Sequence, residues 1–89
     1  MFEIISHPKV VSDLKHLSKR EKETFFRIID NKLSIDPVSC SKPLKNSLKN
    51  HRSVRFGKYR IVFRVIKKQV YVLAVGHRND IYDGVRKRV

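Results

Sequence analysis

The chain has 89 residues, which make one small domain over 1–89 with room for only a thin core. Its 21 Lys and Arg against eight Asp and Glu give a net charge of +13, which favours a polyanionic partner, nucleic acid first. No apolar run reaches the roughly 18 residues of a membrane span, and MFEIISHPK lacks the basic-then-apolar order of a signal peptide, so a cytoplasmic chain without a membrane partner is expected.

FEII, at residues 2–5, predicts a short buried strand. Pro8 suits the first turn of a helix, and Val10, Val11, Leu14 and Leu17 follow at helical spacing. Ser18 and Glu21 match a Ser-x-x-Glu capping box, so a second helix should begin there. Phe25, Ile28, Ile29 and Leu33 form its apolar stripe, and Pro37 ends it. The short break between the two helices predicts an antiparallel pair. Residues 36–50 hold two prolines, three serines and two asparagines and read as a loop, tacked to the core by Leu44 and Leu48. The lone cysteine, Cys40, cannot form an internal disulfide and is a loop thiol.

Three strands are predicted near 52–56, 59–66 and 70–77. Gly57-Lys58 has the Gly-X form of a type II′ two-residue turn. That turn sets Phe56 opposite Tyr59, Arg55 opposite Arg60 and Val54 opposite Ile61. Arginine faces arginine across one side of the sheet, an arrangement that destabilises the free protein. Tyr59, Ile61, Phe63 and Val65 take the core face; Arg60, Val62, Arg64 and Ile66 take the other, joined by Ser53 and Arg55. This second face is expected to be open to solvent or ligand.

The last strand, VYVLAVGHR, is apolar on both faces and should be central. A three-residue KKQ loop would put Arg60 opposite Gly76 and bring Arg78 to the arginine face; a two-residue loop would bring His77 there instead. Gly76 would leave room beside Arg60 for a ligand backbone, or mark a bulge. The tail NDIYDGVRKRV carries Ile81 and Tyr82 and then turns basic. The order β-α-α-β-β-β argues for an α+β fold, with two N-terminal helices packed on one face of a mainly antiparallel sheet. Residues 37–79 contain eleven Lys or Arg and no Asp or Glu, so one half of the domain is purely cationic.

KPLKNSLKNHRSVRFGKYRIVFRV followed by VLAVGHRNDIY resembles the RelE/ParE toxin superfamily, on the side of the RelE-like messenger-RNA interferases. The pieces that carry the resemblance are Lys42-Pro43-Leu44, Arg55-x-Gly57-x-Tyr59-Arg60, and His77-Arg78 ahead of Ile81-Tyr82. The resemblance implies a toxin of a type II toxin–antitoxin system that cuts messenger RNA in the ribosomal A site without a metal or cofactor. It implies attack by the ribose 2′-oxygen on the adjacent phosphate. Arg55, Arg60 and Arg78 would then be phosphate and transition-state cations, with Tyr82 at the reacting ribose and His77 beside them. Its partners would be the ribosome, messenger RNA and a cognate antitoxin with an acidic, partly helical segment.

The chemistry of the residues agrees. A phosphorane-like transition state gathers negative charge, and fixed guanidinium groups stabilise it more than the substrate. Arginine also recognises phosphate through paired N–H groups and stays charged throughout. No acid lies between Pro37 and Asn79 to serve as general base, which leaves His77, Tyr82, a lysine or a ribosomal group; His77 is the economical choice. Lys45, Lys49, Arg52, Lys58 and Arg64 are expected to attract RNA. His7, His16 and His51 read as structural or exposed, and no spacing of His and Cys suggests a metal site. Two rival readings are a ParE-like poison of DNA gyrase and a non-catalytic RNA-binding module.

Overall fold

The computed structural model describes residues 1–88. The FEII run supplies strand β1, Glu3–Ser6. Helix α1 is short, Val10–Leu14, and buries Val10. Helix α2, Lys19–Ile28, starts as its capping box requires: Glu21 N–H donates to Ser18 Oγ at 3.2 Å, and Ser18 N–H donates to Glu21 Oε1 at 2.7 Å. These two bonds satisfy amides that the first helical turn leaves without partners. The Ser18 N–H holds the Glu21 carboxyl below its ordinary pKa, with the Ser18 hydroxyl and the Lys58 ammonium adding to the effect. Past Ile28 the helix widens into a π-helical turn, Ile29–Leu33, which buries both end residues.

The rest is sheet, apart from one terminal helix. Strand β2 is the two-residue Lys42–Pro43, inside the segment expected to be loop, and it pairs antiparallel with β3, Arg52–Phe56. Pro43 fits there because an edge strand leaves one side unpaired. A 3-10 turn at Asn46–Leu48 drives Leu48 into the interior. Strands β4, Tyr59–Ile66, and β5, Gln69–His77, complete an antiparallel meander. The sheet order is β1-β5-β4-β3-β2, and only β1 runs parallel to its neighbour. Strand β5 therefore has neighbours on both sides, as its two apolar faces require.

Helix α3, Ile81–Arg86, lies in the tail and was not anticipated. It packs on the sheet face opposite α1 and α2. One buried cluster joins Val10, Leu17, Phe25 and Leu33 to Val54, Ile61, Phe63 and Val72. The other joins Ile81 and Val85 of α3 to Leu48, Val62, Leu73 and Ala74. The second face is thus covered over much of its area rather than open. Val62 is fully buried there. An apolar β4–β5 surface needs such a lid, and Ile81 and Val85, four apart, present one helical face to it.

Both loop alternatives for β4–β5 prove half right. The connection is the two-residue Lys67-Lys68, with Ile66 opposite Gln69, yet Arg60 stands opposite Gly76. A bulge reconciles them: Val62 pairs with Ala74 but Phe63 with Val72, so Leu73 is an extra residue. Leu73 and Ala74 both turn toward α3, while Val72 and Val75 both turn toward the helical pair.

Strand β1 ends at Ser6, opposite Val72, which leaves the later part of β5 paired with β4 on one side only. Two charged side chains fill the gap. Val75 N–H donates to Asp13 Oδ2 at 3.2 Å, and Arg88 Nη1 donates to Leu73 O at 2.8 Å. Arg88 also grips Asp13 with both terminal nitrogens, at 2.7 and 2.9 Å. This clasp blunts a sheet edge and ties the end of the chain to α1. No described helix is long and apolar enough to cross a membrane.

Candidate active site

The site begins at the Gly57-Lys58 turn. Gly57 takes φ +56°, a conformation that favours glycine, and the turn closes with Phe56 opposite Tyr59. From there the register runs as the sequence requires, with Arg55 directly opposite Arg60 and Arg60 flanked on its other side by Gly76. The ion pairs found among the described residues, Asp83–Arg86 and Asp13–Arg88, involve neither arginine. Arg55 and Arg60 both line a cleft of about 380 Å³, whose remaining walls are Lys32, Cys40, Ser41, Lys42, Ser53 and Val54. No acid lines it. Like charges directly opposite each other on neighbouring strands destabilise the free protein and favour an anion in the cleft.

The other expected site residues divide. Arg78 is exposed one residue past β5; its N–H donates to Lys58 O at 3.0 Å, which holds it beside the hairpin turn in the strand phase of Gly76. Tyr82 is half-buried on α3, packed against the cluster that contains Val62 and Leu73, on the arginine side of the sheet. His77 is not brought there. It pairs with Tyr59 on the helical side, with ring centroids 6.4 Å apart, and its Nδ1 accepts the Asn79 N–H at 3.2 Å. The bulge at Leu73 is the cause, because it shifts the alternation of β5 by one residue. His77 lines a groove of about 370 Å³ with His16, Leu17, Tyr59 and Ile81.

Gly76 adjoins α3: a Cβ there would meet the Ile81 side chain at 3.9 Å, an ordinary van der Waals contact, and the residue lines the same groove as His77. Arg52 is committed to the protein: Nε donates to Ser41 Oγ at 2.7 Å, and Nη2 donates to Val38 O and Ser41 O, both at 3.1 Å. Ser41 Oγ donates in turn to Pro37 O at 2.6 Å. Arg52 therefore fixes the loop that forms the outer wall of the cleft. Burial pushes the Cys40 thiol in that wall above its ordinary pKa. Lys45, Lys49 and Lys58 are exposed, with Lys58 Nζ 5.6 Å from the Tyr59 ring centre. Arg64 lies opposite Tyr71 and lines a different groove with His51, Ile66 and Leu73.

Two cleft residues were missed as site residues. Lys42 was visible as part of Lys42-Pro43-Leu44, and its pairing with Ser53 is what carries it to the arginines. Lys32 sits on the π-helical turn, and no one-dimensional pattern connects it with β3.

Comparison with known proteins decides the family. The family model described as ParE toxin of type II toxin-antitoxin system, parDE, matches residues 4–82. The chain belongs to this toxin family. The toxin is 35% identical to Toxin RelG of Mycobacterium tuberculosis over 72 residues, which cover 79% of this chain and 83% of that protein. Its fold is similar to the toxin–antitoxin complex RelBE2 from Mycobacterium tuberculosis, with a TM-score of 0.80 at 28% identity, over 86% of this chain and 98% of that one. It is also similar to the RelB–RelE antitoxin–toxin complex from Methanococcus jannaschii, with a TM-score of 0.72 at 28% identity, over 89% and 95% of the two chains. The α+β reading and the RelE-like resemblance both hold, and the chain is a toxin of a type II toxin–antitoxin system.

Proposed function

We propose that the toxin is a metal-independent endoribonuclease that cuts messenger RNA in the ribosomal A site and so stops translation. One observation carries the reading: Arg55 and Arg60 lie opposite each other in a cleft that no acid lines among the described residues. A backbone phosphate between them relieves their repulsion. In the step proposed, the ribose 2′-hydroxyl gives up its proton and its oxygen attacks the adjacent phosphorus. The bond to the 5′-oxygen breaks, that oxygen takes up a proton, and a 2′,3′-cyclic phosphate remains. Charge building on the non-bridging oxygens is met by Arg55, Arg60 and Arg78, which gain more from the transition state than from the substrate. Tyr82, on the same side of the sheet, handles the ribose proton, either directly or with a ribosomal group. His77 has no part in it, because it faces the helical side.

A cognate antitoxin with an acidic, partly helical segment neutralises the toxin. The cationic surface supports this, as do the relatives whose structures are RelB–RelE complexes. Opposite charge would speed their association and buried apolar contacts would supply affinity. A second reading, a ParE-like poison of DNA gyrase, has the description of the matched family in its favour. Primer extension on a translated message after pulsed expression separates the two. Discrete cuts within the reading frame support the ribonuclease; intact messages with double-strand DNA breaks support the gyrase poison.

A further inference from the structure

The cleft at Arg55 and Arg60 is larger than one phosphate requires, and two more cations, Lys32 and Lys42, line it. Strand β2 pairs only with Arg52 and Ser53, so the edge of β3 beyond Ser53 has no strand beside it. The cleft opens over this edge. Lys42 reaches it from β2 and Lys32 from the turn that ends α2. Both lysines are exposed, and no ion pair among the described residues involves either. The Cys40–Ser41 part of the wall is prebuilt, because the three Arg52 hydrogen bonds and the Ser41–Pro37 bond hold residues 37–41 in place. A preformed wall lowers the ordering cost of binding. Two lysines and an arginine pair lining one cleft of about 380 Å³ suit a chain of phosphates better than a single one.

We infer that Lys32 and Lys42 form a second phosphate subsite, which holds the backbone phosphate of a nucleotide flanking the one at Arg55 and Arg60. The inference rests on the ribonuclease reading, since the flanking position is defined by the phosphate at the arginines. It extends that reading to the RNA path, which leaves the arginine pair across the open edge of β3 toward the end of α2. A guanidinium pair can orient one phosphate against the attacking oxygen, and point charges from flexible lysines suit a neighbour that needs only to be retained.

Cys40 lines the same cleft and is the only cysteine in the chain, so it reports occupancy from the unmodified protein. The experiment follows Cys40 alkylation by iodoacetamide in antitoxin-free toxin, with and without a single-stranded RNA dodecamer that carries 2′-O-methyl groups to prevent cleavage. Bound RNA should slow alkylation at least threefold. Affinity for the labelled dodecamer is then measured against salt for wild type, for Lys32→Ala/Lys42→Ala, and for Lys9→Ala/Lys19→Ala, which removes equal charge from helix starts outside the cleft. Each lost single-strand phosphate contact lowers the slope of log affinity against log salt by about 0.7, so the cleft variant should lose about 1.4 while the control keeps the wild-type slope. Unprotected Cys40, or equal slopes for the two double variants, overturns the subsite. Protection by polyglutamate equal to that by RNA, with the same lysine dependence, overturns its assignment to RNA and gives the cleft to an acidic protein partner. None of these readouts involves cleavage, so ribosomal cutting can fail while the subsite stands, and the reverse.

Discussion

Arg88→Ala should be among the most destabilising single substitutions outside the core. The Arg88 and Asp13 side chains are only 13% and 16% exposed, and they meet through two bonds of 2.7 and 2.9 Å. Removing the guanidinium also strips the donor from Leu73 O and leaves Asp13 with the Val75 N–H alone. A fully buried pair broken on one side costs about 3–5 kcal/mol. Water can reach this one in part, which brings the expectation to about 2–3 kcal/mol. A domain of this length has a total stability of roughly 5–13 kcal/mol, so the loss is substantial. In urea, with a slope near 1 kcal/mol/M for a small domain, the midpoint should fall by about 2–3 M. Arg88→Lys should recover part of the loss, because a lysine cannot make the fork-like pair and reach Leu73 O together. Asp13→Asn combined with Arg88→Ala should cost at least about 1 kcal/mol less than the sum of the singles. A midpoint shift under 0.5 M for Arg88→Ala, or strict additivity in the double variant, would refute the clasp.

Ser18→Ala should destabilise the toxin by about 1 kcal/mol through the lost helix cap, measured by thermal unfolding. Because folding lowers the Glu21 pKa from its ordinary 4.5, the carboxylate favours the native state above that value; this contribution should fade as pH falls through 4.5 and below, and should be missing from the Glu21→Ala pH profile. Arg52→Ala should free residues 38–41 and raise the rate of Cys40 alkylation severalfold, while retention of the wild-type rate would mean that the loop holds without its tether. His77→Ala should cut messenger RNA within threefold of the wild-type rate, whereas Tyr82→Phe, which keeps the ring packed, should lose at least tenfold; the reverse order in a ribosomal cleavage assay would return the proton-transfer role to His77.

Features set by near neighbours were legible in the sequence. The capping box of Ser18 and Glu21 needs residues three apart, and the hairpin register follows from one glycine and strand alternation. The features that were missed depend on contacts across the fold. Helix α3 shows only Ile81 and Val85 as inward positions, with Gly84 between them, too little period to separate it from a loop. The Leu73 bulge cannot be read from a strand that is apolar on both faces, since alternation carries no information there. That bulge nonetheless decides which of His77 and Arg78 follows the arginine phase. Arg52 resembles any other surface cation until the loop at Val38 and Ser41 folds back on it. The cleft itself joins Lys32 to Arg55 and Arg60 through tertiary packing alone.

The central claim is that facing arginines, paired with no acid among the described residues, drive phosphoryl transfer on RNA. Its most direct test is single-turnover cleavage of a messenger RNA programmed in purified ribosomes, comparing antitoxin-free wild type with Arg60→Ala after both are shown to share the same circular dichroism spectrum. Wild type should cut at the A-site codon and leave a 2′,3′-cyclic phosphate. Arg60→Ala should cut at the same place at least tenfold more slowly. An uncut message with folded wild-type toxin, or a folded Arg60→Ala variant that cuts at the wild-type rate, would contradict the account.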